Sequence, residues 1–155
     1  SYCTWYNHRI LSLIMYSKVA LKALKQDFWT SFGKSLPRKW TLYNTRIKGL
    51  EFKFHFDKKN AMVCLDIDDS LERRMELWEK IQSLQTVVLE SYLSNALFEE
   101  IYYINEDKDI SRVYVLLEGV SIHNKNTWQE AMVFLHASMS QFEDFFEDFK
   151  TVLED

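Results

Sequence analysis

The chain has 155 residues, 47% of them hydrophobic and 27% charged, with a formal net charge of −4. That is enough chain for one well-formed core, and the balance is that of a globular protein rather than a disordered or fibrous one. No apolar run approaches the roughly 18 residues of a membrane span, so no membrane partner is expected.

Three glycines and one proline leave little material for a flexible linker, so two domains joined by one are not expected. The two cysteines, Cys3 and Cys64, form neither a disulfide framework nor a zinc pattern and fit a reducing cytoplasm.

Residues 1–14, SYCTWYNHRILSLI, carry no clean period, no cap and no cleavage site. They are expected to be an extension, with Met15 as the natural start and 15–155 as a single α+β domain. Helix one is expected from about Ser17, as N-cap, to Gly33. Leu21, Leu24, Phe28 and Phe32 fall on one face, and Gly33 and Pro37 supply the stop.

Between residues 38 and 68 the period changes to two. In EFKFHFD, Phe52, Phe54 and Phe56 point one way and Glu51, Lys53, His55 and Asp57 the other. After the turn KKN, AMVCLDID puts Val63, Leu65 and Ile67 on one face. This is a β-hairpin with one apolar and one polar side. A shorter strand around Trp40–Tyr43 is expected before it, with Gly49 at the bend.

Asp69 with Glu72 resembles a capping box for a second helix running to about Leu93–Asn95. A second hairpin follows, LFEEIYYI and SRVYVLLEG around the turn NEDKD. The last helix spans about Thr127 to Leu153. Trp128, Met132, Leu135, Met139, Phe142, Phe146, Phe149 and Leu153 make a continuous apolar seam along it.

The expected fold class is therefore α+β. It is an antiparallel sheet of four to five strands in two hairpins, with three helices in the order α-ββ-α-ββ-α. The helices lie mainly on one face, and the long C-terminal helix packs on the sheet.

Four features are candidate sites. In SIHNKNTWQE, Asn126 and Gln129 read as a cap for the last helix. His123, Asn124, Lys125 and Asn126 also form a candidate anion site, because a helix N-terminus attracts negative charge.

Glu51-Phe-Lys53 matches the E-x-K element of metal-dependent nucleases, where a carboxylate holds Mg²⁺ beside a lysine that steadies the attacking water. The second acid would be Asp66 or Asp68, and Asp66 has the right parity. Alternation alone also produces a solvent face reading E-K-H-D. The histidines His8, His55, His123 and His136 have no ligand-like spacing, so no metal or cofactor is proposed.

The fourth feature is charge. Residues 34–59 hold eight basic and two acidic residues, whereas residues 60–155 hold seven basic and twenty acidic. Arg38, Lys39, Arg46, Lys48, Lys53, Lys58 and Lys59 are candidate phosphate contacts, with Trp40 and Tyr43 as stacking groups. A solvated hairpin facing the acidic last helix explains the same pattern.

The stretches FWTSFGKSLPRKW, YNTRIKGLEFKFHFDKKNAMVCLDI and RVYVLLEGVSIHNKNTWQEAMVF resemble the bacterial family called domain of unknown function 4268, from about Met15 to the end. At helix one the chain departs from the family, with Lys-Val-Ala after Ser17. The resemblance implies a small α+β domain, found alone or at the C-terminal end of longer proteins with nuclease-like domains. It implies no activity.

The expected function is a non-enzymatic interaction domain, with a protein partner or a second copy, because the seam on the last helix exceeds what one small sheet can cover. The alternative is a nucleic-acid-associated accessory domain of a nuclease or defence-type system. A metal-dependent nuclease ranks behind both.

Overall fold

The computed structural model describes residues 2–154. Within the first helix the side chains of residues 2, 3, 5, 6 and 12–16 lie outside that description, Cys3 and Met15 among them. The chain divides between Arg38 and Lys39 into two units.

The first unit is built on α1, Tyr2–Ser35. It runs without a break through Ser17, so the expected N-cap lies inside a helix. The flanking sequence explains this. Residues such as Ala20, Leu21, Lys22, Ala23 and Leu24 are strong helix formers, and a lone serine is a weak interruption. Gly33 is helical too. The helix closes with the Leu36 N–H on the Phe32 carbonyl at 3.0 Å, just before Pro37, whose ring disfavours helix in the residue ahead of it. Phe28 and Phe32 are buried and stack with centroids 6.3 Å apart.

The second unit holds the sheet. Its strands are β1 (Leu50–Phe56), β2 (Asn60–Ile67), β3 (Leu97–Asn105) and β4 (Lys108–Glu118). All pairs are antiparallel, in the order β1-β2-β4-β3. The two expected hairpins are thus fused through β2 and β4. The strands extend closer to both turns than the sequence pattern indicates.

No strand forms around Trp40–Tyr43. Leu42 takes φ 46° there, which no strand accommodates. The segment is a loop whose Leu42 carbonyl accepts the Phe52 N–H at 3.0 Å, so it lies along the outer edge of β1.

One helix was expected between the hairpins, and there are two, α2 (Leu71–Ser83) and α3 (Gln85–Ser91). The Ser83 hydroxyl donates to the Lys80 carbonyl at 2.6 Å, and the Leu84 N–H takes the Ile81 carbonyl at 3.0 Å. These contacts tighten the last turn of α2 and break the ladder. The N-cap is Ser70, one residue later than expected. Its hydroxyl accepts the Arg73 N–H at 3.4 Å, while the Asp69 carboxylate takes the Ser70 N–H at 2.7 Å.

The last helix, α4 (Trp128–Glu154), follows a short 3-10 turn at Lys125–Thr127. With that turn the described residues hold five helical segments rather than three.

α2 and α4 cover one face of the sheet. Phe52 meets Phe142 at 5.9 Å and Phe146 at 5.6 Å, and Trp78 meets Phe98 at 6.3 Å, between ring centroids. Trp128, Leu135, Met139, Phe142, Phe146 and Leu153 are buried. At about 1.5–3 kcal/mol per buried large side chain, the seam is a main source of core stability. It is filled inside the chain, so it does not supply the exposed surface expected from it.

Candidate functional site

The opposite sheet face carries the polar side chains. Strand register lines them up in ranks across the sheet. Glu51 opposes Asp66, Asp66 opposes Arg112, and Arg112 opposes Glu99. The next rank is Lys53, Cys64, Tyr114 and Leu97. Met62, Cys64 and Tyr114 pack together, flanked by Tyr102 and Leu116.

At the centre, Asp66 is 0% exposed. Arg112 grips it with two hydrogen bonds, Nε to Oδ1 at 2.6 Å and an Nη to Oδ2 at 2.9 Å. Lys53 stands 3.5 Å from the same Oδ2 and 3.0 Å from Glu51. The guanidinium also sits 4.3 Å from the Tyr102 ring centroid, a cation–π contact.

The electrostatics follow from burial and pairing. Burial alone would lower the pKa of Arg112, but its bonds to Asp66 outweigh that and raise it. Lys53 follows the same pattern, with desolvation opposed by Glu51 and Asp66 and a net rise. Burial pushes the Cys64 thiol up to about 12. At neutral pH it is a packed, protonated thiol and a poor nucleophile.

The structure places Glu51, Lys53 and Asp66 side by side, with Asp66 engaged by Arg112. Both Asp66 oxygens are held by Arg112, and breaking a buried pair of this kind costs about 3–5 kcal/mol. Asp68, the other candidate acid, is paired with Lys108 at 2.9 Å. Among the described residues no group of three or more His, Cys, Asp or Glu side chains is placed to hold a metal.

Arg112 was missed by the sequence reading. The signal was present in SRVYVLLE, where Arg112 shares the parity of Tyr114, opposite Val113 and Val115.

The basic residues do not gather in one patch. Arg46 and Lys48 precede β1, and Lys58 and Lys59 form the turn after it. Six steps of strand put about 20 Å between these groups. The Lys58–Lys59 turn is held by Asp57, whose Oδ1 accepts the N–H groups of Lys59 at 2.7 Å and Asn60 at 3.0 Å. Burial would raise the pKa of that carboxyl, and these bonds with His55 lower it overall.

Trp40 is half-buried, with ring centroids 5.4 Å from Phe54 and 5.1 Å from His136. It is a packing residue at the foot of α4. Tyr43 is 75% exposed and is the free ring of the segment. Arg38 and Lys39 are exposed and lie on either side of the division between units.

The expected cap lies instead at the 3-10 turn that leads into α4. Asn124, not Asn126, is the capping side chain. Its Oδ1 accepts the Asn126 N–H at 3.1 Å. The N–H groups of His123, Asn124 and Thr127 donate to the Ser121 hydroxyl, the Ser121 carbonyl and the Asn124 carbonyl. Lys125 lies 5.4 Å from the Trp128 ring centroid, and the Trp128 indole donates to the Ile122 carbonyl at 3.0 Å. Four backbone N–H groups of the candidate anion site, those of His123, Asn124, Asn126 and Thr127, are engaged in building the turn.

A groove of about 160 Å³ lies between α2 and β3, bordered by Leu71, Arg74, Met75, Trp78, Glu100 and Ile101. Leu71 is 70%, Met75 56% and Ile101 61% exposed, whereas Trp78 is 4% exposed. The Trp78 Nε1 has no hydrogen-bond partner.

Two features build the groove. In the β3–β4 ladder, Glu100 and Ile101 together oppose one residue, Ser111, between the pairs Glu99–Arg112 and Tyr102–Ile110. That is a β-bulge, which turns the side chain of an edge strand outward. Arg74 then ties α2 to the bulge, donating to Ser111 Oγ at 2.8 Å and the Glu100 carbonyl at 2.9 Å, and pairing with Asp109 at 2.6 Å. Nothing in the alternation of LFEEIYYI announces the bulge, so this surface was not legible in the sequence.

A four-stranded antiparallel sheet with helices on one face and a buried ion pair on the other defines a small α+β domain. The chain belongs to the family described as domain of unknown function, DUF4268, whose model matches residues 24–150. No curated protein and no solved structure matches the chain.

Proposed function

We propose that the chain is a non-enzymatic interaction domain that self-associates, with contact made through α2 and β3. The observation that carries this reading is the exposure of Leu71, Met75 and Ile101 around one groove. Single exposed apolar residues are ordinary, but several bordering one concave surface are the mark of an interface.

The orphaned indole N–H of Trp78 supports the same place, because a buried donor without an acceptor is costly. β3 is an edge strand, and Tyr103 (67% exposed) and Ile104 (43% exposed) extend its apolar character. The bulge at Glu100–Ile101 twists that edge and discourages strand-to-strand pairing. The contact is therefore one of side chains rather than a continued sheet.

The non-enzymatic part rests on the polar sheet face, where the acids of the E-x-K element are bound to cations. The test is sedimentation equilibrium of the full chain beside Ile101→Glu. Ile101 is exposed, so the variant keeps the fold. The wild type is expected to dimerise at micromolar concentration and the variant to remain monomeric. Identical behaviour of the two chains refutes the assignment of the surface.

A further inference from the structure

The loop between Trp40 and β1 builds a second concavity, of about 330 Å³, lined by Tyr43, Arg46, Lys48, Gly49, Glu51 and Asp68 among others. Its size is that of a small-ligand site. We propose that it binds a nucleoside phosphate, with the phosphate held by Arg46 and Lys48 and the planar base laid against Tyr43.

Charge comes first. The two acids that line the cavity are already paired with lysines from elsewhere, Glu51 with Lys53 at 3.0 Å and Asp68 with Lys108 at 2.9 Å. Among the described residues Arg46 and Lys48 have no acidic partner. A third acid, Asp69, stands behind the lining Gly49, its Oδ2 3.0 Å from where a Cβ there would lie, so the site has an excess of one positive charge in a chain whose net charge is −4. The two cations that line the cavity, Arg46 and Lys48, suit a phosphate monoester, with a charge of about −1.5 to −2 at pH 7 and three acceptor oxygens, better than a carboxylate.

The backbone is the second observation. Arg46 takes φ 63°, in the left-handed region that favours glycine. It is held there from both sides. Thr45 and Ile47 are buried, and the Thr45 hydroxyl donates to the Leu50 carbonyl at 2.7 Å while accepting the Ile47 N–H at 3.1 Å. The fold thus places an arginine beside the cavity at a position where the backbone alone is better served by glycine. Strain maintained by the surroundings in this way is a property of functional sites.

The third observation is Tyr43, 75% exposed beside the two cations. An open ring next to a phosphate-binding pair is the arrangement that stacks a base. It separates a nucleoside phosphate from phosphate alone.

The experiment is calorimetric titration of the full chain with AMP, inorganic phosphate and adenosine, and with a short single strand with and without a 5′-phosphate. AMP is expected to bind, with phosphate and adenosine each at least about tenfold weaker, since each lacks one of the two contacts. A 5′-phosphorylated strand that outcompetes AMP identifies the end of a nucleic acid as the source, and the reverse identifies a free nucleotide.

Arg46→Gly is the decisive variant, because it removes the cation and relieves the backbone together. It is expected to weaken AMP by about tenfold or more while holding or raising the melting temperature. Lys48→Gln is expected to weaken AMP in the same direction. No AMP binding at millimolar concentration overturns the proposal, as does an Arg46→Gly variant that binds like the wild type.

Discussion

Arg112→Met isolates the buried pair at the centre of the sheet. Asp66 is 0% exposed and receives both of its short hydrogen bonds from Arg112. Removing the guanidinium leaves a buried carboxylate whose nearest cation is Lys53 at 3.5 Å. Truncating one partner of such a pair costs about 3–5 kcal/mol. The remaining lysine, with a side chain 47% exposed, places the expectation at the lower end, about 3 kcal/mol.

The second half of the prediction concerns the double variant Asp66→Leu with Arg112→Met. Taking both charges out together removes the desolvation penalty along with the attraction, so the double variant is expected within about 1 kcal/mol of wild type. The assay is urea unfolding followed by tryptophan fluorescence, arranged as a double-mutant cycle. With each single variant about 3 kcal/mol less stable and the double variant within about 1 kcal/mol of wild type, a coupling of about 5 kcal/mol is expected, above the usual range for residues in contact. Arg112→Met within about 0.5 kcal/mol of wild type, or a double variant as unstable as the two singles summed, refutes the reasoning.

Two further expectations come from the same unit. Gly49 has φ 89°, and an added Cβ would lie 2.9 Å from the Asp69 Cβ. Gly49→Ala is therefore expected to destabilise by at least about 1–2 kcal/mol in the same unfolding assay, and a neutral result contradicts the close approach of that turn to Asp69. The Cys64 thiol, pushed by burial up to about 12 from 9.0, keeps its proton in the folded state over a range where the unfolded chain has lost it. Stability is then expected to fall as pH rises from about 9 to about 12, and less steeply in Cys64→Ala. In a Cys3→Ser background, Cys64 of the native protein should react with a thiol reagent only as fast as the chain unfolds, and prompt labelling at neutral pH removes this account.

The fold was legible where a single period governs a whole element. EFKFHFD alternates without interruption, and the β1–β2 register puts Glu51 beside Asp66 while Phe52 packs on Phe142 from the other face, as alternation requires. The seam of α4 was equally plain. What the pattern missed depends on single backbone residues and on pairings distant in sequence. Leu42 at φ 46° turns an expected strand into a loop, and the Ser83 hydroxyl helps divide one helix into two. Ser70, rather than Asp69, caps α2, the Asp69 carboxylate taking the Ser70 N–H instead, and Asn124 caps the 3-10 turn ahead of α4 by accepting the Asn126 N–H.

The site shows the same division. Parity was enough to bring Glu51, Lys53 and Asp66 together. It could not reveal that Arg112, 46 residues from Asp66 in sequence, occupies the carboxylate. Composition counted the basic residues correctly but could not place Arg46 and Lys59 at opposite ends of one strand. The α2–β3 groove depends on a bulge at Glu100–Ile101 and on the reach of Arg74 from another element, neither of which has a local sequence signature.

The central claim is that the surface of α2 and β3 is an interface between copies. Amide hydrogen exchange read by mass spectrometry tests it most directly, comparing the full chain well below and well above its micromolar association range. The account predicts concentration-dependent protection in peptides covering Leu71–Trp78 and Leu97–Asn105, with the turn at Asp57–Asn60 unchanged. Exchange that is independent of concentration everywhere, or protection confined to other elements, contradicts it.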